Sequence, residues 1–313
     1  MVMMPKHENH LCTRSMYDSI IFRLRLVNQG KMMSYAPVIV LLTDFGLDDA
    51  YVGVMKGVIL RICPQVHLID LCHTVQPQQI RQAAFLLANA YAYFPKGTIF
   101  LVVVDPGVGS SRKAIAVHAG DYTFVAPDNG VLSYTLEKIG EVAVAEISNR
   151  DYFRKQVSST FHGRDIFAPV AAHLASGVSF EALGDALSDM VILPQPVLIV
   201  GNGTVTGEVI NIDHFGNIIT SIGHLSLNAD TCAELDAAFV KEVMNIFRIP
   251  NACSIRLHKT HIQGLHHTYS DAPLNEAFAL INSDGFLEIA VRSGNAARQL
   301  DVQIGDPVEI VFG

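Results

Sequence analysis

The chain has 313 residues, half of them hydrophobic and 17% charged, with a formal net charge of −8. That length and apolar content are enough for two domains with separate cores, and the acidic balance argues against nucleic acid as the main partner. Charged residues or prolines interrupt every apolar run before it reaches the length of a membrane span, and the five cysteines form no CxxC pair, which fits reduced thiols in a cytoplasm.

Residues 1–36 differ from the remainder, polar at first and then holding a short apolar patch broken by Arg23 and Arg25. They lack the uninterrupted apolar core and small-residue cleavage site of a signal peptide, so they read as a poorly ordered extension. From Pro37 the pattern alternates between β and α. Val38 to Leu42 reads as a buried strand, and a helix follows from about Asp49, with Val52, Met55, Ile59 and Ile62 at helical spacing before Pro64. A second strand spans 66–70 and a helix 78–94. The run Phe100 to Val104 is a strand buried on both faces, and it leads into Asp105-Pro106-Gly107-Val108-Gly109. Short strands near 114–118 and 122–126, a helix to about 138, a strand at 142–147 and a loop and helix over 158–177 complete this part. The expected architecture for 37–192 is therefore an α/β domain with a mainly parallel sheet and helices on both faces. A Pro- and Gly-containing linker is expected at 193–204. Short strand-like runs at 205–212, 217–222, 253–257, 277–282, 286–291 and 307–312 then predict a small β-barrel or sandwich domain over 205–313.

Acidic, histidine and glycine clusters recur where the strands of the first domain end: 43–49, 70–73, 105–112, 126–130 and 159–165. Ligands of open α/β sheets bind at that edge, and several such clusters there imply a cleft. Each also has a plainer reading. Asp48 and Asp49 suit a helix N-cap, Asp128 suits a turn, and His73 suits a hydrogen-bonded strand end. His162, beside a helix start and cationic neighbours, is expected to stay neutral. No pair has the spacing of a metal-binding motif, and His258, His261, His266 and His267 fall in a segment that reads as an exposed loop without acidic partners. In the second domain, residues 211–217 and 281–288 set polar side chains beside Phe215 and Phe286, as a purine site would; two turns with both rings in the core would look the same.

Together, the runs LLTDFGLDDAYVGVMKG, VDPGVGSSRKAI, APDNG, STFHGRDIFAPVAAHLASG, IDHFGN and INSDGFLEIAV resemble the S-adenosylmethionine hydrolase family, the hydroxide adenosyltransferases related to fluorinase and chlorinase. The resemblance spans nearly everything from residue 38 onward. It implies an N-terminal α/β and a C-terminal β domain, and a homotrimer with each ligand held between domains of neighbouring subunits. It also implies a water-activating set on Asp105, Arg112 and His162. Asp105 stands where the halogenating branch has Tyr, and Val108 and Gly163 stand where that branch has halide-holding hydroxyls, so water is the implied nucleophile. Asp44 is implied to hold the ribose, Asp213 and Ser283 the methionine portion, and Phe215 and Asn217 the adenine. Asp49, Asp284 and Val291 complete the substrate-binding set; Asp284 and Val291 replace arginines of the halogenating branch, and Gln78 replaces its sugar-facing Trp.

The implied reaction is attack of water on the 5′ carbon of S-adenosylmethionine, with methionine leaving. A neutral thioether departs from a sulfonium, so no charge develops on the leaving group, and neither cofactor nor metal is expected. Asp105 and His162 are expected to hold or relay the proton, and Arg112 to fix the hydroxide. The competing readings are a halogenase of the same fold, a non-catalytic binder of adenosine or S-adenosylmethionine, and a metal-dependent hydrolase.

Overall fold

The computed structural model describes residues 36–201, 203–228, 232–236, 246–250 and 252–312; all but the last residue of the extension expected at 1–36 lies outside them. Residues 37–313 form one compact unit. Its first sheet contains β1 (Val38–Thr43), β2 (His67–Cys72), β3 (Ile99–Val103), β4 (Ala114–Ala119), β5 (Tyr122–Pro127), β6 (Val142–Glu146) and β7 (Ala186–Leu187). The spatial order is β2-β1-β3-β5-β4-β6-β7. The pairings from β2 through β5 are parallel, whereas β4 and β5 form an antiparallel hairpin and β6 and β7 continue antiparallel. The sheet is thus parallel on one side and antiparallel on the other.

Alternate residues of the central strands serve opposite faces. Ile39, Leu41, Ile99, Leu101 and Val103 join one core, and Val40, Leu42, Phe100 and Val102 the other. Helices α1 (Tyr51–Ile62) and α4 (Ala168–Ala175) cover the first core, while α2 (Ile80–Ala90) and α3 (Ser133–Ile139) cover the second. This two-sided burial is why β1 and β3 read as unbroken apolar runs. The plainer alternative for Asp48 and Asp49, a helix N-cap, is not seen. The cap position of α1 falls on Ala50, whose backbone is already in the right-handed helical region, and no side chain caps it.

The second sheet is antiparallel and contains β8 (Leu198–Gly201), β9 (Thr204–Ile212), β10 (Ile218–Gly223), β14 (Ser254–Leu257), β15 (Thr260–Gln263), β16 (Ala277–Ile281), β17 (Phe286–Val291) and β18 (Pro307–Val311). β8 falls inside the stretch expected to be a linker and pairs with β9. Its path is β15-β14-β18-β9-β10-β17-β16, and the end strands β15 and β16 contact each other, so the sheet curls into a nearly closed barrel. Val205, Val209, Ile218, Ile255, Ile289 and Ile310 fill its interior. A three-stranded antiparallel sheet of β11 (Leu225–Asn228), β12 (Cys232–Asp236) and β13 (Ile246–Pro250) accompanies it. The expected loop around His258 and His261 is a hairpin of β14 and β15, and His258 does have an acidic partner, with its Nε2 3.1 Å from Asp306.

The barrel is fastened to the first sheet through α2. Arg81 forks onto the buried carboxylate of Glu208, and the Gln82 amide donates to Asn211 Oδ1 at 2.8 Å. Phe85 meets Phe286 edge-on, with ring centroids 5.2 Å apart.

Candidate active site

The chain leaves the sheet at the carboxyl end of β3. Val104 is fully buried, and the Asn129 amide donates to its carbonyl at 2.8 Å, which fixes the strand end from the neighbouring turn. Pro106 then turns the chain out of the sheet, and two successive turns follow: Val108 N–H donates to the Asp105 carbonyl and Ser110 N–H to the Gly107 carbonyl. The loop folds back so that Arg112 returns to Asp105. Gly109 makes this possible, with φ of +78° and so little room that an added Cβ would lie 2.4 Å from the Ser159 carbonyl oxygen.

Arg112 Nε donates to both Asp105 oxygens, at 2.9 and 3.1 Å, and Nη2 donates to Oδ2. The pair is largely buried, with side chains 5% and 11% exposed, and the guanidinium lies over the Phe167 ring at 5.2 Å. The same Nη2 lies 2.8 Å from His162 Nδ1. A guanidinium can only donate, so Nδ1 accepts and the neutral ring carries its proton on Nε2. Burial, and after it the Arg112 charge, hold the His162 pKa below the ordinary histidine value against the pull of Asp105 and Asp165.

His162 sits just before a π-type turn, Gly163–Phe167, that runs into α4. Its loop is tied by Asp165, a fully buried carboxylate that accepts from Arg154, Arg164 and the Ser158 N–H. Burial works to raise the Asp165 pKa, but these hydrogen bonds outweigh it and hold it below the usual carboxylate range. Arg164 and Asp165 thus set the shape of the loop. Phe45, Tyr51 and Phe161 pack together with centroids 5.2 to 5.8 Å apart. An added Cβ on Gly163 would meet Phe45, Phe161 and Met55 at 3.2 to 3.3 Å, so a smaller-than-alanine residue fits best beside this aromatic wall.

Asp44 immediately follows β1, and its Oδ2 accepts the Gln78 N–H at 2.8 Å, where Gln78 holds a left-handed φ of +67°. Asp49 is exposed. On the barrel, Asp213 accepts from the Phe215 and Asn217 N–H groups and from the Asn217 side chain, all at 2.8 to 2.9 Å. This turn projects the Phe215 ring into solvent, 73% exposed, whereas Phe286 is in the core. Asp213, Phe215, Asn217 and Val291 line a hollow of about 510 Å³, and Asp213, Ser283, Asp284 and the buried Glu288 line another of about 680 Å³. Tyr269 stands between the two hollows and donates its hydroxyl to Glu288 at 2.6 Å. Asp105, Arg112 and His162 line neither hollow, nor do Asp44 and Asp49, so within one chain the expected site residues divide between the first domain and the barrel.

Sequence reasoning did not assign roles to Asn129, Phe167, Phe45 or Tyr51. Asn129 lies in a motif already conspicuous for its turn residues; the three aromatics gave no signal beyond ordinary apolar spacing. Among the described residues, no group of three or more His, Cys, Asp or Glu side chains is arranged to hold a metal ion.

Comparison with known proteins places the chain in a family. Residues 39–184 match the SAM hydroxide adenosyltransferase N-terminal domain and residues 207–309 the C-terminal domain of that family. The (R)-S-adenosyl-L-methionine hydrolase of Salinispora tropica is 37% identical, over 90% of this chain and 100% of that protein. The enzyme of the same name from Thermus thermophilus is 34% identical, over 86% and 98%. A fluorinase of Nocardia brasiliensis is 28% identical, over 88% and 97%. The crystal structure of a conserved protein from Thermotoga maritima superposes with a TM-score of 0.75 at 42% identity, covering 87% of this chain and 99% of that one.

Proposed function

Because the chain belongs to the SAM hydroxide adenosyltransferase family, we propose that it is an enzyme that hydrolyses S-adenosyl-L-methionine to adenosine and L-methionine. The observation that carries the choice of water over halide is the cluster of Asp105, Arg112 and His162 at the end of β3, beside Val108 and Gly163, which offer no hydroxyl. The higher identity to hydrolases than to fluorinases supports the same choice.

In this reaction a water oxygen forms a bond to the 5′ carbon while the C–S bond breaks. The electron pair of that bond goes to sulfur, which leaves as the neutral thioether of methionine, and the water gives up one proton. Asp105 is the acceptor that this arrangement supports: His162 Nδ1 is occupied by Arg112 and its Nε2 carries a proton. His162 Nε2–H then serves as a donor that orients the water oxygen. Arg112 holds both groups in place and stabilises charge on the nucleophile. Positioning supplies much of the acceleration, since an oriented reactant has already lost its translational freedom. The leaving group needs no acid and no Lewis acid, so the reading includes no cofactor.

Asp44 is assigned to the ribose hydroxyls, Phe215 and Asn217 to the adenine, and Asp213, Ser283 and Asp284 to the methionine end, with Asp49 and Val291 flanking. The division of these residues into two groups within one chain, and the protruding Phe215 ring, support a homotrimer in which the barrel of one subunit completes the triad site of the next. Light scattering tests this: a mass three times that of the chain is expected, and a monomer that retains full turnover would contradict it. We assign the enzyme to the cytoplasm, supported by the free thiols of Cys63, Cys72 and Cys253. No helix among the described residues is long and apolar enough to cross a membrane. Incubation with S-adenosylmethionine, with and without fluoride or chloride, tests the activity. Adenosine and methionine in equal amounts are expected whatever the halide; a halogenated nucleoside would assign the chain to the halogenating branch.

A further inference from the structure

The cluster Asp70-Leu71-Cys72-His73 has no part in the chemistry above, yet His73 is 3% exposed and fully engaged. Its Nδ1 lies 2.8 Å from Thr43 Oγ1, its Nε2 lies 2.9 Å from Asp70 Oδ1, and Lys56 Nζ lies 2.6 Å from the other Asp70 oxygen. The order Thr-His-Asp is that of a nucleophilic triad, but Thr43 is fully buried and cannot reach a substrate. Its hydroxyl oxygen also accepts the Phe45 N–H at 3.3 Å, so the hydroxyl proton is free to point at His73 Nδ1, and His73 Nε2–H points at Asp70.

These contacts surround one residue. Thr43 immediately precedes Asp44, and the Gly46 N–H donates to the His73 carbonyl at 2.7 Å. Five residues beyond His73, the Gln78 N–H donates to the Asp44 carboxylate. Backbone, hydroxyl and carboxylate of the 43–46 turn are therefore all fastened to the segment 73–78. We propose that His73 and Thr43 are positioning residues that aim the Asp44 carboxylate, and so set the enzyme's preference for an intact ribose diol. The inference rests on the assignment of Asp44 to the ribose hydroxyls. A carboxylate that must receive two adjacent hydroxyls tolerates little rotation, because hydrogen bonds weaken steeply off-axis.

The test is calorimetric binding of adenosine and 2′,3′-dideoxyadenosine to the full chain, with steady-state kinetics on S-adenosylmethionine. The wild type is expected to favour adenosine. Thr43→Val, which keeps the shape but loses the hydroxyl, and His73→Gln, which keeps a group at the Nε2 position only, should each cut that preference by about tenfold. The loss should fall on KM rather than kcat. Thr43→Ser and His73→Asn, which retain the Thr43–Nδ1 contact, should keep the preference. If Thr43→Val does not fold, the two His73 variants decide alone. Full preference in His73→Gln and Thr43→Val, with preference lost in Asp44→Ala, would overturn the inference while leaving the Asp44 assignment intact. No preference in the wild type, with Asp44→Ala silent, would remove that assignment and the inference with it.

Discussion

Arg112 Nη2 lies 2.8 Å from His162 Nδ1, so the guanidinium that neutralises Asp105 also fixes the tautomer of a histidine fifty positions away. One planar fork serves both partners, which an ammonium cannot imitate. Arg112→Lys is therefore expected to lower kcat about a hundredfold or more although the charge is retained. Steady-state adenosine formation measures this; near-wild-type turnover would mean that the fork geometry is not needed.

Asp105→Asn keeps the shape of the side chain but removes both the proton acceptor and the counter-charge of a largely buried arginine. Turnover should fall by roughly two to four powers of ten. Stability should fall too, by about 3 kcal/mol or more, because Arg112 is left buried and unpaired. Denaturant titration beside the activity assay separates the two effects, and a stable, fully active variant would contradict both.

The acid limb of kcat/KM should lie below the ordinary histidine value of about 6.5, because burial and Arg112 lower the His162 pKa. A protonated ring would present a donor at Nδ1 to the donors of Arg112, so the contact is lost as pH falls. The folded state binds this proton less readily than the unfolded state. His162 therefore contributes stability above its unfolded pKa, and that contribution disappears as pH falls through the depressed folded value. A pH profile with its limb above 6.5 would contradict the assignment.

Gly109→Ala should be among the most damaging glycine substitutions in the catalytic loop. Its φ of +78° alone costs about 1–3 kcal/mol for a residue with a Cβ. The Ser159 carbonyl adds a clash that the loop must move to relieve. Gly97→Ala, at φ of +83° with open space around it, provides the strain-only control. Equal thermal shifts in the two variants would show that contact with Ser159 does not matter.

Phe215→Ala should leave the melting temperature nearly unchanged, since the ring is 73% exposed, yet raise KM several-fold. An unchanged KM would remove Phe215 from the adenine contacts.

Much of this was legible in the sequence because the physics is local. The unbroken run from Phe100 to Val104 could only be a strand covered on both faces, and Asp105 before Pro106-Gly107 had to emerge at its end. The turn residues after Asp105 marked a tight loop, but the return of Arg112 to Asp105 was implied by the resemblance, since an arginine seven positions on could equally have been a surface charge. The same holds for His162: only the tertiary packing of its loop, tied by Asp165 and seated against Gly109, brings it to Arg112, and the resemblance rather than the spacing pointed there. The plainer alternative for Asp48 and Asp49, a helix N-cap, does not hold because helical backbone at Ala50 moves the helix start past them. His258 does lie in an exposed turn, between β14 and β15; β15 was not legible because four residues carry little periodicity, and the Asp306 partner of His258 was not because it lies far along the chain. The exposure of Phe215 was equally illegible, since a ring in a core and a ring awaiting a partner have the same neighbours in sequence.

The central claim is that water, activated by Asp105, Arg112 and His162, attacks the 5′ carbon. Turnover of S-adenosylmethionine in oxygen-18 water, halide-free and with chelator present, followed by mass spectrometry of the nucleoside, tests it most directly. Adenosine carrying the heavy oxygen at its 5′ position is the expected result, with the label absent from methionine. Bound ligand released intact on denaturation, with no adenosine formed, would contradict it.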